Sequence, residues 1–509
     1  MIKDTFVIVQ AGGRGSRLRH HTWNKPKCLV SVRGKPILYH LFDRFPNYKF
    51  IVIGDYAFDQ LESYLKLSPP QNLYKLIRTE EKGTCSGIGQ AVTLISPNAS
   101  ILLTWSDLII HDLPQITDKN YPTACTTSAF TCRWSVSTEN DLQEITSSER
   151  GIPGIFYFPQ ASQLVGLPKS GEFVRWFSKH VSNFSILDCP KLEELGEFES
   201  IERDNERNGF SRFFNDVQIL KDKVVKQVID PNYEEVHKNE INWYKEASDL
   251  NFKRIPKIYS YAPLEMERII GNHAYQLKDL TERERRAILA NSLDSLMELH
   301  TSKNMPSNFN HIKSVYIEKT IDRVKQISEV IPNFERESIT INGKKCINIF
   351  SKKYLYVFDE ILSLLNTSRF TPIHGDPTFS NSIVDDKLRI WFIDPRGYFF
   401  EPGIMGDPWY DFAKVYYSAK GNYDSFNRKK FKLFIDSETV EILMEDSQFS
   451  KTVDEIFNEY FGENFRKIKL IHGLLWLALS GYAKDDIDSV VGSFHLGLYW
   501  LGEGLKDGA

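Results

Sequence analysis

Short apolar, β-branched runs recur through about the first 200 residues: Phe6-Val7-Ile8-Val9, Phe50-Ile51-Val52-Ile53 and Ile101-Leu102-Leu103-Thr104, with amphipathic segments between them. No feature of the chain restricts its fold more. Runs that are apolar at successive positions suit strands buried on both faces. Such strands, alternating with amphipathic segments, predict a doubly wound α/β sheet of parallel strands.

The pattern then changes. The polar, charged stretch from Glu197 to Gly209 reads as a boundary. Beyond it lie strand-like Phe213 to Leu220 and Val224 to Ile229, with Lys221, Asp222 and Lys223 as the turn between them. Asp230-Pro231 reads as the N-cap and first-turn proline of a helix. A second helix is expected from Thr281, where Glu284 completes a capping box, to His300, with Leu289, Leu293, Leu296 and Met297 on its apolar face. From about Phe309 the chain reads as mainly helical, broken by a loop-strand-loop over 373–397, with Trp476, Leu477, Leu479 and Trp500 as core.

A chain of 509 residues has room for two or three domains, and its net charge of -4 gives no sign of a nucleic-acid partner. The six cysteines show neither a C-x-x-C pair nor zinc-site spacing, which favours a reducing compartment. With no signal-peptide layout and no membrane-length apolar run, the expectation is a cytoplasmic protein without membrane insertion. Nothing in the sequence fixes the oligomeric state.

Two motifs carry chemistry. Val9-Gln10-Ala11-Gly12-Gly13-Arg14-Gly15-Ser16-Arg17-Leu18 follows a strand and precedes an expected helix. Glycines admit a phosphate close to backbone N–H groups, a helix N-terminus favours anions, and Arg17 can grip phosphate oxygens. The turn lacks the G-K-[ST] ending of a Walker A loop and does not fit G-x-G-x-x-G. The second motif is His374-Gly375-Asp376-Pro377-Thr378-Phe379-Ser380-Asn381, followed after an apolar run by Ile393-Asp394-Pro395-Arg396. Phosphoryl transfer from ATP needs such parts: a carboxylate facing the acceptor hydroxyl (Asp376), and an amide oxygen and second carboxylate for Mg²⁺ (Asn381, Asp394).

With Asn24-Lys25-Pro26-Lys27-Cys28-Leu29 and Gly34-Lys35-Pro36, the first motif resembles the nucleotidyltransferases that join a sugar 1-phosphate or phosphocholine to an NTP. The resemblance covers about residues 1–205 and implies a Rossmann-like domain. Cys28 stands where proline is usual. It implies triphosphate binding by Ala11, Gly12, Gly13, Gly15, Ser16 and Arg17, and phosphate neutralisation by Lys27. It also implies contacts from the second glycine turn at Gly83 and Thr84, and Mg²⁺ held by Asp107 at a strand end. In Glu194-Leu195-Gly196-Glu197-Phe198-Glu199 it offers Glu194 as second metal ligand, with Glu197 in place of the usual threonine. Arg17 and Lys27 are its catalytic cations.

The second motif, with Gly406-Asp407-Pro408-Trp409-Tyr410-Asp411, resembles the aminoglycoside phosphotransferase and choline kinase family. That implies a bilobal, protein-kinase-like α+β domain over 210–509, with a small lobe to about 272 and a helical lobe beyond. The family's Gly-Asp-Pro segment supports the catalytic loop. Asp376 becomes the catalytic base, and Pro395-Arg396 in place of Phe-Gly disfavours a protein substrate. Lys226 is the candidate strand lysine for ATP phosphates, with Glu240 or its rival Glu235 to orient it, and Glu267 and Ile269 lie where the adenine would meet the hinge. Trp409, Tyr410, Tyr416, Tyr417 and Tyr423 could cage a quaternary amine or stack on a sugar. The expected substrates are ATP, a second NTP (CTP or UTP) and small molecules, with Mg²⁺ at both sites. The alternatives are an antibiotic-modifying enzyme and a nucleotide-binding regulator with an inactive kinase half.

Overall fold

The structure, a computed structural model, describes residues 5–116, 120–208, 215–229 and 231–506. It divides into two compact units, residues 1–209 with 485–488, and residues 210–484 with 489–509. Asp230, expected as a helix cap, and residues 213 and 214, expected in a strand, lie outside the described residues.

In the first unit the apolar runs form a seven-stranded sheet. Its order is Ser185–Asp188, Thr123–Thr126, Phe156–Phe158, Ser100–Trp105, Thr5–Gln10, Lys49–Gly54, Tyr74–Arg78. Thr5–Gln10 pairs in parallel with both neighbours, placing Val7 beside Phe50 and Leu102. Val7, Ile8 and Val9 are fully buried because both faces are covered. Ile8, Ile51 and Leu103 share one core with Ile88, Phe156, Phe173 and Phe177.

The sheet is mixed, not all parallel. Phe156–Phe158 runs antiparallel to Ser100–Trp105 and Thr123–Thr126. Between Thr123–Thr126 and this strand lie only the short strands Ser135–Val136 and Leu142–Gln143, and an antiparallel strand needs no helical crossover.

The expected boundary stretch forms a helix, Phe198–Asn208, and the main segment of the first unit stops at its end. Ile201 is buried among Leu18, Val30, Ile37, Ile109 and Leu195, and Asp204 accepts Arg33 at 2.7 Å. Its polar composition serves ion pairs along an edge of the unit. Lys25 is likewise no solvated side chain: it is 2% exposed and pairs with Asp486 and, at 3.0 Å, with Asp488.

The second unit begins with an antiparallel sheet in the order Asn215–Ile219, Lys223–Val228, Leu264–Glu267, Ile258–Tyr261, with helix Glu234–Asp249 following the first hairpin. The helix Glu282–Thr301 starts at the Thr281 box, where the Glu284 N–H donates to Thr281 Oγ1 at 3.3 Å and the Thr281 N–H donates to Glu284 Oε2 at 2.8 Å.

The later chain is less helical than expected. Ser338–Ile341, Lys344–Ile347, Thr439–Leu443 and Lys432–Ile435 form a second four-stranded sheet. The first two strands are joined at Asn342-Gly343, with φ of 46° and 76°, a left-handed pair that closes a two-residue hairpin.

Candidate functional site

The glycine turn sits at the carboxyl end of the interior strand Thr5–Gln10, where open α/β sheets place their ligands. Gln10 lies beside Trp105 in register, and the Ser106 N–H donates to the Gln10 carbonyl at 3.2 Å. Asp107 therefore emerges next to the turn. Leu192–Glu194 pairs antiparallel with Leu108–Ile110, and the Leu195 N–H donates to the Asp107 carbonyl at 2.9 Å, bringing Glu194 to the same place.

Gly15, at φ +66°, lets Lys27 pass: a β-carbon there would lie 2.9 Å from Lys27 Cβ. The Lys27 ammonium pairs with Asp107, and Arg17 reaches Glu194 at 3.5 Å and Glu197 at 3.2 Å. How tightly these groups gather is measured at Gly196. A β-carbon there would stand 2.5 Å from Glu194 Oε1, 3.1 Å from Lys27 Nζ and 3.2 Å from Arg17 Nη2.

Burial, then the neighbouring Asp107 charge, raises the Glu194 carboxyl above its usual range. Two close carboxylates of this kind suit a hard divalent cation. Among the described residues no three His, Cys, Asp or Glu side chains converge as a metal group, but Mg²⁺ commonly takes one or two carboxylates and fills its shell with phosphate and water oxygens.

Ala11 donates its N–H to Ile53, Gly12 packs against Asp55, and Gly13 faces open space. Ser16 begins a kinked 3-10 segment, Ser16–Thr22, where a helix was expected, so no long helix dipole backs the turn. Gly83 lies against the Gly171 backbone at φ +96°. Thr84 accepts the Phe173 N–H on its hydroxyl at 2.7 Å and Gln10 Nε2 on its carbonyl at 3.0 Å, tying the second glycine turn to the first.

Residues 7–117 match the family of the MobA-like NTP transferase domain. The N-terminal region is a MobA-like NTP transferase domain. It is 26% identical over 137 residues to bifunctional protein GlmU of Methylobacillus flagellatus, covering 26% of this chain and 28% of that protein. It is 29% identical over 116 residues to the mannose-1-phosphate guanylyltransferase catalytic subunit beta of Drosophila melanogaster, covering 22% and 31%. The chain thus spans about three tenths of the length of these curated relatives. The solved structure of CTP:phosphocholine cytidylyltransferase from Streptococcus pneumoniae is 17% identical, covers 40% of this chain and 99% of its own, and has a TM-score of 0.34. In the first unit the residues named from the sequence, Arg17, Lys27, Asp107 and Glu194, converge; Glu197, named there only as a threonine replacement, joins them.

The second unit assembles its own constellation. Lys226, 4% exposed on strand Lys223–Val228, contacts Glu240 at 2.8 and 2.9 Å and Asp394 at 2.9 Å. Burial alone would lower its ammonium pKa, but the two carboxylates outweigh it and raise the pKa. Glu235, the rival, is exposed.

Asp376 accepts Asn381 Nδ2 at 3.1 Å and pairs with Lys414 at 2.9 Å. Buried Asp411 holds their loop, accepting the His374 and Gly375 N–H groups at 2.7 Å each and His300 Nε2 at 3.0 Å. His374 is buried against Trp243 and Phe392. Glu267 donates its N–H to the Lys257 carbonyl at 2.8 Å, and Ile269 lies just beyond that strand, half-buried.

A cavity of about 450 Å³ opens before Asp376 and Asp394. Of the five aromatics considered as a cage, only Tyr410, Tyr417 and Tyr423 line it. Trp409 packs on Phe412 and Phe461, and Tyr416 donates to Asp454 at 2.7 Å. Asp411, Lys414, Lys319 and Arg323 were not singled out as site residues from the sequence. For Asp411 and Lys414 the spacing within Gly406-Asp407-Pro408 and the helix after it was a usable signal; for Lys319 and Arg323 none existed, since a basic residue on a helix reads as solvated.

Proposed function

We propose that the first unit transfers a nucleotidyl group from CTP or UTP to a small-molecule phosphate, a sugar 1-phosphate or the phosphate of a choline-like alcohol. The reading rests on one observation, the convergence of Arg17, Lys27, Asp107 and Glu194 beside the glycine turn. A phosphate oxygen of the substrate bonds to the α-phosphorus, the α–β P–O bond breaks, and pyrophosphate leaves. Both reactants are anions, so Arg17 and Lys27 neutralise their approach, while open Gly13 and its neighbours present backbone N–H groups to the triphosphate. Asp107 and Glu194 would hold Mg²⁺, which supplies further charge neutralisation.

The second unit, on the same proposal, is a kinase-like phosphotransferase acting on a small metabolite, supported by the Lys226–Glu240–Asp394 and Asp376–Asn381 contacts. Asp376 orients the acceptor hydroxyl and takes its proton as that oxygen bonds to the γ-phosphorus and ADP leaves. Lys226, aligned by Glu240, grips the ATP phosphates, and Asn381 with Asp394 would hold Mg²⁺. Run in sequence, the units would convert X to X-phosphate and then to an NDP-activated precursor for a surface polysaccharide or lipid, in the cytoplasm where their nucleotides are found.

The test is a paired assay on the full chain. Pyrophosphate release is followed with each NTP and candidate phosphates, and ADP release with ATP and the unphosphorylated candidates. The sequential reading fails if the phosphorylated product of the ATP-dependent reaction gives no pyrophosphate release with any of the NTPs.

A further inference from the structure

Resting on the phosphotransferase reading of the second unit, we infer that its acceptor site takes a small hydroxylated molecule carrying a carboxylate or phosphate group. Four cationic side chains line the cavity before Asp376: Lys319 and Arg323 from helix Lys319–Ile327, Arg396 from the loop after Asp394, and Lys414 from helix Pro408–Ala419. Lys319 and Arg323 stand four residues apart and so share a helix face.

The carboxylates present do not match these charges. Asp394 and Glu240 hold Lys226, and Asp376 holds Lys414. The Arg396 guanidinium donates to the Tyr398 and Tyr410 hydroxyls at 2.7 Å each and is also favoured by the Asp376 charge. Arg323 donates to the Ala478 carbonyl at 3.1 Å and lies over the Tyr482 ring. The Lys319 ammonium makes neither a hydrogen bond nor an ion pair among the described residues.

The basic side chains Lys319 and Arg323 therefore face the cavity without a carboxylate, and Arg396 only shares the Asp376 charge with Lys414. Such an arrangement is unfavourable unless a ligand supplies the opposite charge. Burial first, then Arg396, Arg323 and Lys414, push the Lys319 ammonium down to about 6. A bound anion relieves that strain, whereas a quaternary amine would add a further like charge. The tyrosine hydroxyls around the cavity suit a polyhydroxylated body on the same ligand.

The experiment is calorimetry on the full chain saturated with Mg²⁺ and a non-hydrolysable ATP analogue, using D-glucuronate, D-glucose 6-phosphate, D-glucose and choline as probes. At least one anionic probe is expected to bind tenfold or more tighter than glucose, with choline weakest. The two anions separate a carboxylate from a phosphate preference. Lys319→Met with Arg323→Met should bring the anion to the level of glucose while analogue affinity stays within twofold, which also reports that the unit is folded. Lys319→Arg should retain the preference.

Glucose or choline binding as tightly as both anions overturns the assignment. So does anion binding that survives the double variant, or a double variant that loses the analogue, since the cations would then serve the nucleotide. A wild-type chain that binds no analogue defeats the phosphotransferase reading beneath it, a result distinct from any of these.

Discussion

At the residue scale, Asp107 and Asp376 occupy separate clusters, each with its own cation, Lys27 and Lys414. Asp107→Ala should abolish pyrophosphate release and leave ADP formation near wild type. Asp376→Asn should lower ADP formation by several orders of magnitude, keep ATP binding, and leave pyrophosphate release intact. Parallel assays of both variants check this, and a collapse of both activities in either folded variant defeats it.

Lys319 makes a second residue-scale prediction. Its folded pKa of about 6 lies below its ordinary 10.5, so the folded state binds fewer protons than the unfolded state between those values. Wild-type stability should therefore fall as pH drops from about 10 towards 6. The groups that face Lys319 are Arg323 on its own helix, Arg396, Lys414 with its partner Asp376, and the hydroxyls of Tyr398, Tyr410 and Tyr482. Lys319→Met should flatten this slope and raise stability at pH 7 by about 1–3 kcal/mol, read by chemical denaturation across pH. An unchanged slope would show that the ammonium is not strained.

At the element scale, one face of helix Pro408–Ala419 organises the loop that carries Asp376. Its N-cap Asp407 accepts the Tyr316 hydroxyl at 2.8 Å, Asp411 takes two loop N–H groups, Lys414 holds Asp376, and Ser418 accepts the Phe379 N–H at 3.0 Å. The spacing of 407, 411, 414 and 418 is that of one helical face. Asp411→Ala leaves three buried donors, two backbone N–H groups and His300 Nε2, without their acceptor, and should cost about 2–4 kcal/mol and most of the ADP-forming activity. Pyrophosphate release should survive. Denaturation with both assays decides it, and full ADP formation in this variant would mean that the loop holds its shape unaided. The sequence showed an Asp-Pro helix start here; which backbone groups that face would hold follows from loop geometry that spacing does not contain.

At the scale of the whole molecule, the first unit includes residues 485–488, far along the chain. Buried Lys25 relies on Asp486 and Asp488 there: burial lowers its pKa, and the two carboxylates more than reverse this. A fragment of residues 1–209 would bury that ammonium without them, a loss of about 3–5 kcal/mol. Lys25→Met should stabilise the fragment yet destabilise the full chain. Equal denaturation midpoints for fragment and fragment variant would contradict this role of the pair. A cut anywhere from 198 to 208 would also break a helix whose Ile201 and Asp204 are built into the unit, so the interior of this polar boundary stretch is a poor place to divide the chain.

The sequence alone determined what depends on local order. Strand runs apolar at every position specified a sheet buried on both faces, glycines marked a turn after the first strand, and the Thr281–Glu284 box marked a helix start. The groupings of Asp376 with Asn381 and of Lys27 with Asp107 were legible because the proposed chemistry asks for particular side chains at the ends of strands and on short loops. Asn342-Gly343, flanked by Ser338–Ile341 and Lys344–Ile347, was also readable as a hairpin but was masked by the helical segments around it. Tertiary structure decided what depends on distant partners. It turned Phe156–Phe158 antiparallel, paired Lys226 with Glu240 over Glu235, and sent Lys25 into a buried ion pair. It also placed Lys319, Arg323, Arg396 and Lys414 around one cavity. Charge acts through space and dielectric, not along the chain, so four basic residues spread over nearly a hundred positions read as ordinary surface until the fold encloses them together.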